Sequence, residues 1–459
     1  MKTSRTALNL TEGRPVKLIL LFAIPVFLGN LFQILYSLVD TKIVGSILGE
    51  EALAAVGSVS ILYTLLTGFF NGLSLGFSVV TARFYGSGEE KALKRTVAGS
   101  IVLGFLTAAV IITFVAVFLR PILVLLNVPQ QQLEMALSYI TLLVCGMFVT
   151  LAYNLCANTL RAIGDSITPL IFLIIAAFTN VVLDYVFILV FGMGVMGAAA
   201  ATLVSQFLSV VLCLVRIYRG FPILHIAKED FALPKSRMIA LYESGLSMGL
   251  MSSLVNLGSL VLQSGINQLG TNIIVAHTAA RKVFEIWGLP VSVLGSSMAT
   301  YCGQNYGAGR YDRIRQGIKD ALFLGAVWDI FIIILAHTVS PYLIRFIASS
   351  DNEEIVYWGT TYLRVDMSFL LVCLFIIILR NCMQGFGDYR TPIVSSFIEL
   401  VGKLVFTFVF VRLFGYWGII WTEPVVWFLM VIPLITKTLK NPIIRKDGAV
   451  EITRQKKRG

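Results

Sequence analysis

The chain has 459 residues, 57% of them hydrophobic and only 13% charged, with a net charge of +11. Soluble domains carry about 25% charged residues, so a water-soluble globule is excluded. The positive excess does not point to nucleic acid, because 28 of the 36 Lys and Arg residues fall in seven clusters that alternate with long apolar runs.

Each of those runs approaches the roughly 20 residues needed to cross a bilayer, and backbone groups in lipid must be satisfied within the segment, so the runs are predicted to be helices. Twelve spans are expected to begin near residues 16, 51, 92, 133, 167, 196, 238, 273, 316, 355, 392 and 417. The polar, basic start of the chain precedes a long first run with no small-residue cleavage site, which reads as a retained span. The placement of the basic clusters puts both termini in the cytoplasm.

Taken in chain order, the first span holds Pro25, a residue expected to kink a helix, followed by Gln33, Tyr36, Ser37 and Asp40. Gln33, Ser37 and Asp40 share one helical face. The fourth span carries Tyr139, Asn154 and Asn158, and the fifth has Asn180 and Asp184 one turn apart. A Gly-rich turn at 191–197 leads to Thr202 in the sixth. The polar interval from Tyr218 to Arg237 reads as a linker between two units. The expected organisation is a six-helix lobe at 1–220, a cytoplasmic linker at 221–237, a second six-helix lobe at 238–440 and a basic cytoplasmic tail at 441–459. In the second lobe the ionisable candidates are Glu243, Glu285, Glu399, Lys403 and Glu423, with Asp366 a further acid of interest.

An internal repeat supports that division. The segment Asn158 to Pro169 aligns with Asn381 to Pro392 at an offset of 223, with Asn, Gly, Asp, Thr and Pro in register. Phe191 and Gly192 match Phe414 and Gly415 at the same offset. The predicted fold class is therefore an all-α polytopic membrane protein with twelve transmembrane helices in two pseudo-symmetric six-helix lobes. Each lobe has an even number of spans, so the two copies enter the membrane in the same sense, and a substrate cavity between them is the natural expectation. The shared Gly-Asp-x-x-Thr-Pro turn is expected to serve only as a helix connection.

Ionisable groups inside a span cost on the order of 2.5 kcal/mol or more, which makes them candidates for function. Asp40, Asn180, Asp184 and Thr202 together offer two carboxylates, an amide oxygen and a hydroxyl, an all-oxygen set suited to a hard cation such as Na⁺. The same two carboxyls can instead share a proton. The second lobe does not copy this set: Asn180 aligns with Lys403, Asp184 with Thr407 and, after a two-residue gap, Thr202 with Glu423. Lys403 is expected to pair internally with Glu423 or Glu399, and Glu285 with Arg281, four residues away. Six cysteines and three histidines show no metal-like spacing, and disulfides are not expected.

The stretch PVFLGNLFQILYSLVDTKIVGSILG at 25–49, with LRAIGDSITP and MQGFGDYRTP, resembles the pattern of the multidrug and toxic compound extrusion (MATE) family across the whole chain. That resemblance implies export of cationic or amphipathic compounds across the plasma membrane in exchange for H⁺ or Na⁺. It also implies an ion site at Asp40, Asn180, Asp184 and Thr202. From their places in the spans Gln33, Tyr36 and Pro25 are read as cavity or supporting residues, while Tyr139, Asn154 and Asn158 either line the same chamber or join helices by hydrogen bonds. No cofactor beyond the coupling ion is expected, and the implied partners are small organic molecules and the lipid bilayer, with a monomeric assembly. A lipid-linked saccharide flippase of a related transporter group is the alternative. An enzyme is disfavoured, since no nucleophile triad, metal motif or phosphate loop is found.

Overall fold

The computed structural model describes residues 7–126, 128–232 and 234–445, so most of the basic tail expected at 441–459 lies outside the described residues. Helices run through these segments, and no strand occurs among the described residues. Among the described residues nine helices are individually long and apolar enough to cross a bilayer, and eleven spans result when each of two bent pairs counts as one. The twelfth expected span corresponds to the 37-residue α9, whose small and polar residues, with His277, Arg281, Lys282 and Glu285 among them, leave it outside that set.

The helices of the first half are α1 (Pro15–Leu48), α2 (Glu50–Ser87), α3 (Glu90–Leu125), α4 (Gln130–Cys145), α5 (Met147–Ala162), α6 (Ile167–Tyr185) and α7 (Val195–Gly220). Those of the second are α8 (Lys235–Ile266), α9 (Thr271–Gly307), α10 (Tyr311–Thr338), α11 (Ser340–Ala348), α12 (Glu353–Ser368), α13 (Leu370–Phe386), α14 (Arg390–Val405), α15 (Val411–Phe414), α16 (Tyr416–Ile420) and α17 (Thr422–Lys440). The bent pairs are α4 with α5, at 42°, and α12 with α13, at 53°. Their breaks, at Gly146 and Phe369, are 223 residues apart. The order of elements therefore repeats with the period read from the sequence.

The repeated turn is a helix cap in both halves. Asp165 Oδ1 accepts from the Thr168 amide at 3.0 Å and its Oδ2 from the Thr168 hydroxyl at 2.6 Å. Asp388 treats Thr391 the same way, at 3.0 and 2.7 Å. Neither Asp stands apart from its turn. The next turn corrects the alignment: Gly194 (φ 58°, ψ −141°) and Gly415 (φ 57°, ψ −136°) share a backbone conformation that a side chain would strain. Gly415 is thus the counterpart of Gly194, not Gly192, and the offset falls from 223 to 221 just before α7. That is the gap which aligns Thr202 with Glu423.

Two compact units divide the chain: one takes in residues up to Asn9 and Leu21–Leu250, the other Leu10–Leu20 and Met251 onward. The division falls inside α1 and α8 rather than in the polar interval 221–237. In that interval Phe221 and Leu224 are buried in the first unit with Leu93, Val97, Leu160 and Ile163. The early turns of α8 also belong to the first unit. The Ser244 hydroxyl donates to the Gly76 carbonyl at 2.8 Å, and a Cβ on Gly72 would meet the Met248 carbonyl oxygen at 2.5 Å. Gly72→Ala is expected to push α2 from α8 and cost about 1–3 kcal/mol, read as a lower Tm of the purified protein.

The outward faces suit lipid. On α3, Leu106, Val110, Phe114 and Val117 are each more than 60% exposed in a helical stripe. On α10, Phe323, Val327, Ile330 and Ile334 form another. Apolar patches of this extent mark surfaces that water does not wet, and with the long apolar helices they make this a multi-pass membrane protein.

Candidate functional site

In the first unit, α1, α6 and α7 bring four distant residues together. Asn180 and Asp184 are fully buried one turn apart on α6, Thr202 faces them from α7 at 8% exposure, and Asp40 approaches from α1. The Asp40 and Asp184 carboxyls lie within hydrogen-bonding reach of each other. Asn180 Nδ2 donates to the Thr202 hydroxyl at 3.5 Å, and the Tyr36 hydroxyl reaches the same oxygen at 3.4 Å.

Four oxygens here have no donor among the described residues: Asp40 Oδ1, both of Asp184 and Oδ1 of Asn180. Buried polar atoms are almost always paired, and two adjacent carboxyls cannot satisfy each other unless something positive joins them. A proton or a small hard cation fits this donor set.

A second layer surrounds the pair. Tyr139, buried on α4, stands near Asp40, Tyr36 and Tyr63. The Thr150 hydroxyl donates to Gln206 Oε1 at 2.6 Å, and Tyr63 joins both. Sequence reading missed Tyr63, Thr150 and Gln206, although Gln206 lies one turn after Thr202.

Other candidates stand apart. Gln33 is exposed, and Pro25 sits within α1 fifteen residues before Asp40, about 22 Å along the helix. Asn158 joins helices, donating from Nδ2 to the Ser74 hydroxyl at 3.0 Å and accepting from Arg161 Nη1 at 3.1 Å. Asn154, one turn earlier, is half-buried.

The second unit carries a charged network. Lys403 Nζ on α14 lies 3.0 Å from Glu399 Oε1 and 3.1 Å from Glu423 Oε1, while Arg380 Nη2 on α13 lies 3.4 Å from Glu399 Oε2. Arg380 also donates from Nε to the Ser395 hydroxyl at 3.3 Å. Lys403 thus pairs with both of its candidate partners. Arg380 is 7% exposed inside its helix. Its counterpart at the offset of 223, Ala157, gave no hint of a charge there.

Arg281 approaches Glu423 at 4.0 Å and Glu285 at 3.9 Å, and lies over the Phe284 ring at 4.7 Å. Glu285 itself is 65% exposed at the edge of the network. Fully buried Asp366 stands near Tyr362 and Arg281, and neither of its oxygens has a donor among the described residues. Tyr362 is the counterpart of Tyr139 at the same offset. Glu243 does not belong to this unit: it is exposed on the early part of α8, which packs within the first.

The MatE family pattern matches residues 25–186 and again 248–409, with both ends of the second match 223 residues after those of the first. Probable multidrug resistance protein YpnP of Bacillus subtilis (strain 168) is 26% identical over 90% of this chain and 91% of its own length. Multidrug export protein MepA of Staphylococcus aureus (strain MSSA476) is 21% identical over 90% and 91%. Among solved structures, a MATE protein in its bent conformation superposes with a TM-score of 0.87 at 22% identity, covering 95% of this chain and 98% of that one. An outward-facing multidrug resistance MATE transporter superposes with a TM-score of 0.86 at 22% identity, covering 97% and 100%.

Proposed function

Since the chain belongs to the MatE family, we propose that it is a cation-coupled antiporter that exports cationic or amphipathic organic compounds in exchange for H⁺ or Na⁺. The observation that carries this reading is Asp40 beside fully buried Asp184, with Asp40 Oδ1 and both Asp184 oxygens lacking a donor among the described residues and Asn180 and Thr202 next to them in the first unit. The names of the relatives, a probable multidrug resistance protein and a multidrug export protein, support drug-like cargo. The protein is a transporter and not an enzyme. It acts as a monomer in the plasma membrane with both termini cytoplasmic, an orientation supported by the alternation of basic clusters.

The entering ion joins the two carboxyls and takes the free Asn180 oxygen. The Thr202 hydroxyl, held by Asn180 and Tyr36, orients the set. Binding neutralises the repulsion between the carboxyls and draws α1 toward α6 and α7, which favours the state that releases cargo outside. For the ion to drive that change, it must bind the two states with different affinity.

The test is efflux of ethidium, a fluorescent cationic dye, from proteoliposomes under an imposed H⁺ or Na⁺ gradient. Gradient-driven efflux by the parent, lost in Asp40→Asn and in Asp184→Asn, is the expected outcome. Ethidium transport indifferent to both gradients contradicts ion coupling. No ethidium transport under either gradient moves the assignment to the lipid-linked saccharide flippase.

A further inference from the structure

The two units resemble each other in backbone and differ in how their central carboxylates are neutralised. In the register set by the bent helices and the paired glycines, Asn180 corresponds to Lys403, Ala176 to Glu399, Ala157 to Arg380 and Thr202 to Glu423. Where the first unit leaves four oxygens without donors, the second fills the equivalent place with an ammonium. Lys403 is 2% exposed, and its Nζ touches one oxygen each of Glu399 and Glu423. Arg380 completes a quartet of two cations and two anions. Gly258 on α8 makes room for the lysine stem, since a Cβ there would lie 2.8 Å from Lys403 Cδ.

We infer that Lys403 is a tethered counter-ion: its ammonium permanently occupies the place that a mobile cation takes in the first unit, so Glu399 and Glu423 take up no free ion. The geometry asks for a cation between these two acids, and a primary ammonium is a compact charge with three donors suited to bridging them. Asp366, near Arg281 and Tyr362, lies outside the quartet.

A tethered cation can be replaced by a free one. Purified Lys403→Ala, with a cavity where the side chain was, is expected to melt below the parent and to gain about 5 °C or more on adding ethylammonium chloride. The effect should saturate, and choline chloride at equal ionic strength, whose cation is too bulky to enter, should not reproduce it. The parent should not respond to ethylammonium. A Lys403→Ala Tm that ignores ethylammonium, or a parent that responds equally, overturns the inference. Should Lys403→Ala fail to accumulate, Lys403→Ala/Glu423→Gln decides. That variant keeps Glu399 with Arg380 and leaves no unpaired acid in the quartet, so it should accumulate, melt within about 5 °C of the parent and ignore ethylammonium. Its failure to accumulate overturns the inference. All of these readouts are stabilities, so they stand whether or not the export reading holds.

Discussion

Asp184→Asn is expected to lose nearly all ion-driven efflux while leaving the protein at least as heat-stable as the parent. The parent buries both Asp184 oxygens without a donor, an arrangement that costs stability in a span. The amide removes the charge and brings a donor that can pair with Asp40. Without the second carboxyl the ion loses its grip on one state relative to the other, and a ligand that does not distinguish two states shifts neither. Coupling free energies of this kind are typically 5- to 150-fold in effect, so gradient-driven efflux should fall by on the order of a hundredfold. Efflux assays paired with a fluorescence melt of the same preparation check both halves. Efflux kept with stability lost would show that Asp184 holds helices together rather than an ion.

The second large effect is structural. Glu399→Leu is expected to destabilise the protein by about 3–5 kcal/mol, because it strands buried Arg380 without an acid and leaves Lys403 with Glu423 alone. Arg380 and Glu399 side chains are 9% and 6% exposed and Lys403 is 2% exposed, so water cannot replace the lost carboxylate. The contrast is Arg310 with Asp312, 3.7 Å apart but 51% and 65% exposed. Asp312→Asn should cost under about 1 kcal/mol, as surface pairs usually do. Unfolding midpoints of the two variants measured side by side provide the check, and equal losses would contradict the burial argument.

Much of this was legible in the sequence because the bilayer imposes simple rules. Apolar runs near the spanning length placed the starts of the long helices to within about five residues. Asp184 and Asn180 stood out because polar residues in such a run have few reasons to be there. The repeat was readable because caps demand particular residues: Gly164 and Gly387 adopt positive φ, and the Asp and Thr that follow close the same turn.

The rest left no mark in composition. Arg380 lies near the end of a span, where a basic residue ordinarily reaches the interface, and only its neighbours Glu399 and Ser395 make burial tolerable. Glu243 was placed with the wrong unit because the division runs through a continuous helix, and nothing in the sequence of α8 marks where its packing partners change. Tyr63, Thr150 and Gln206 are ordinary residues for helices that pack by hydrogen bonds, and their convergence is a property of three chains of contacts, not of any one segment. Gly415 paired with Gly192 by letter but with Gly194 by backbone angle.

In the proposed antiporter, Asp40 and Asp184 hold an ion whose binding is linked to that of the cargo. Linkage is reciprocal, so the direct measurement is ethidium affinity for the purified protein across stepwise increases in Na⁺ and, separately, in acidity. The parent should bind the dye more weakly as one of the two ions rises, and Asp184→Asn should bind it with an affinity indifferent to both. A parent whose dye affinity is unchanged by either ion would contradict the claim.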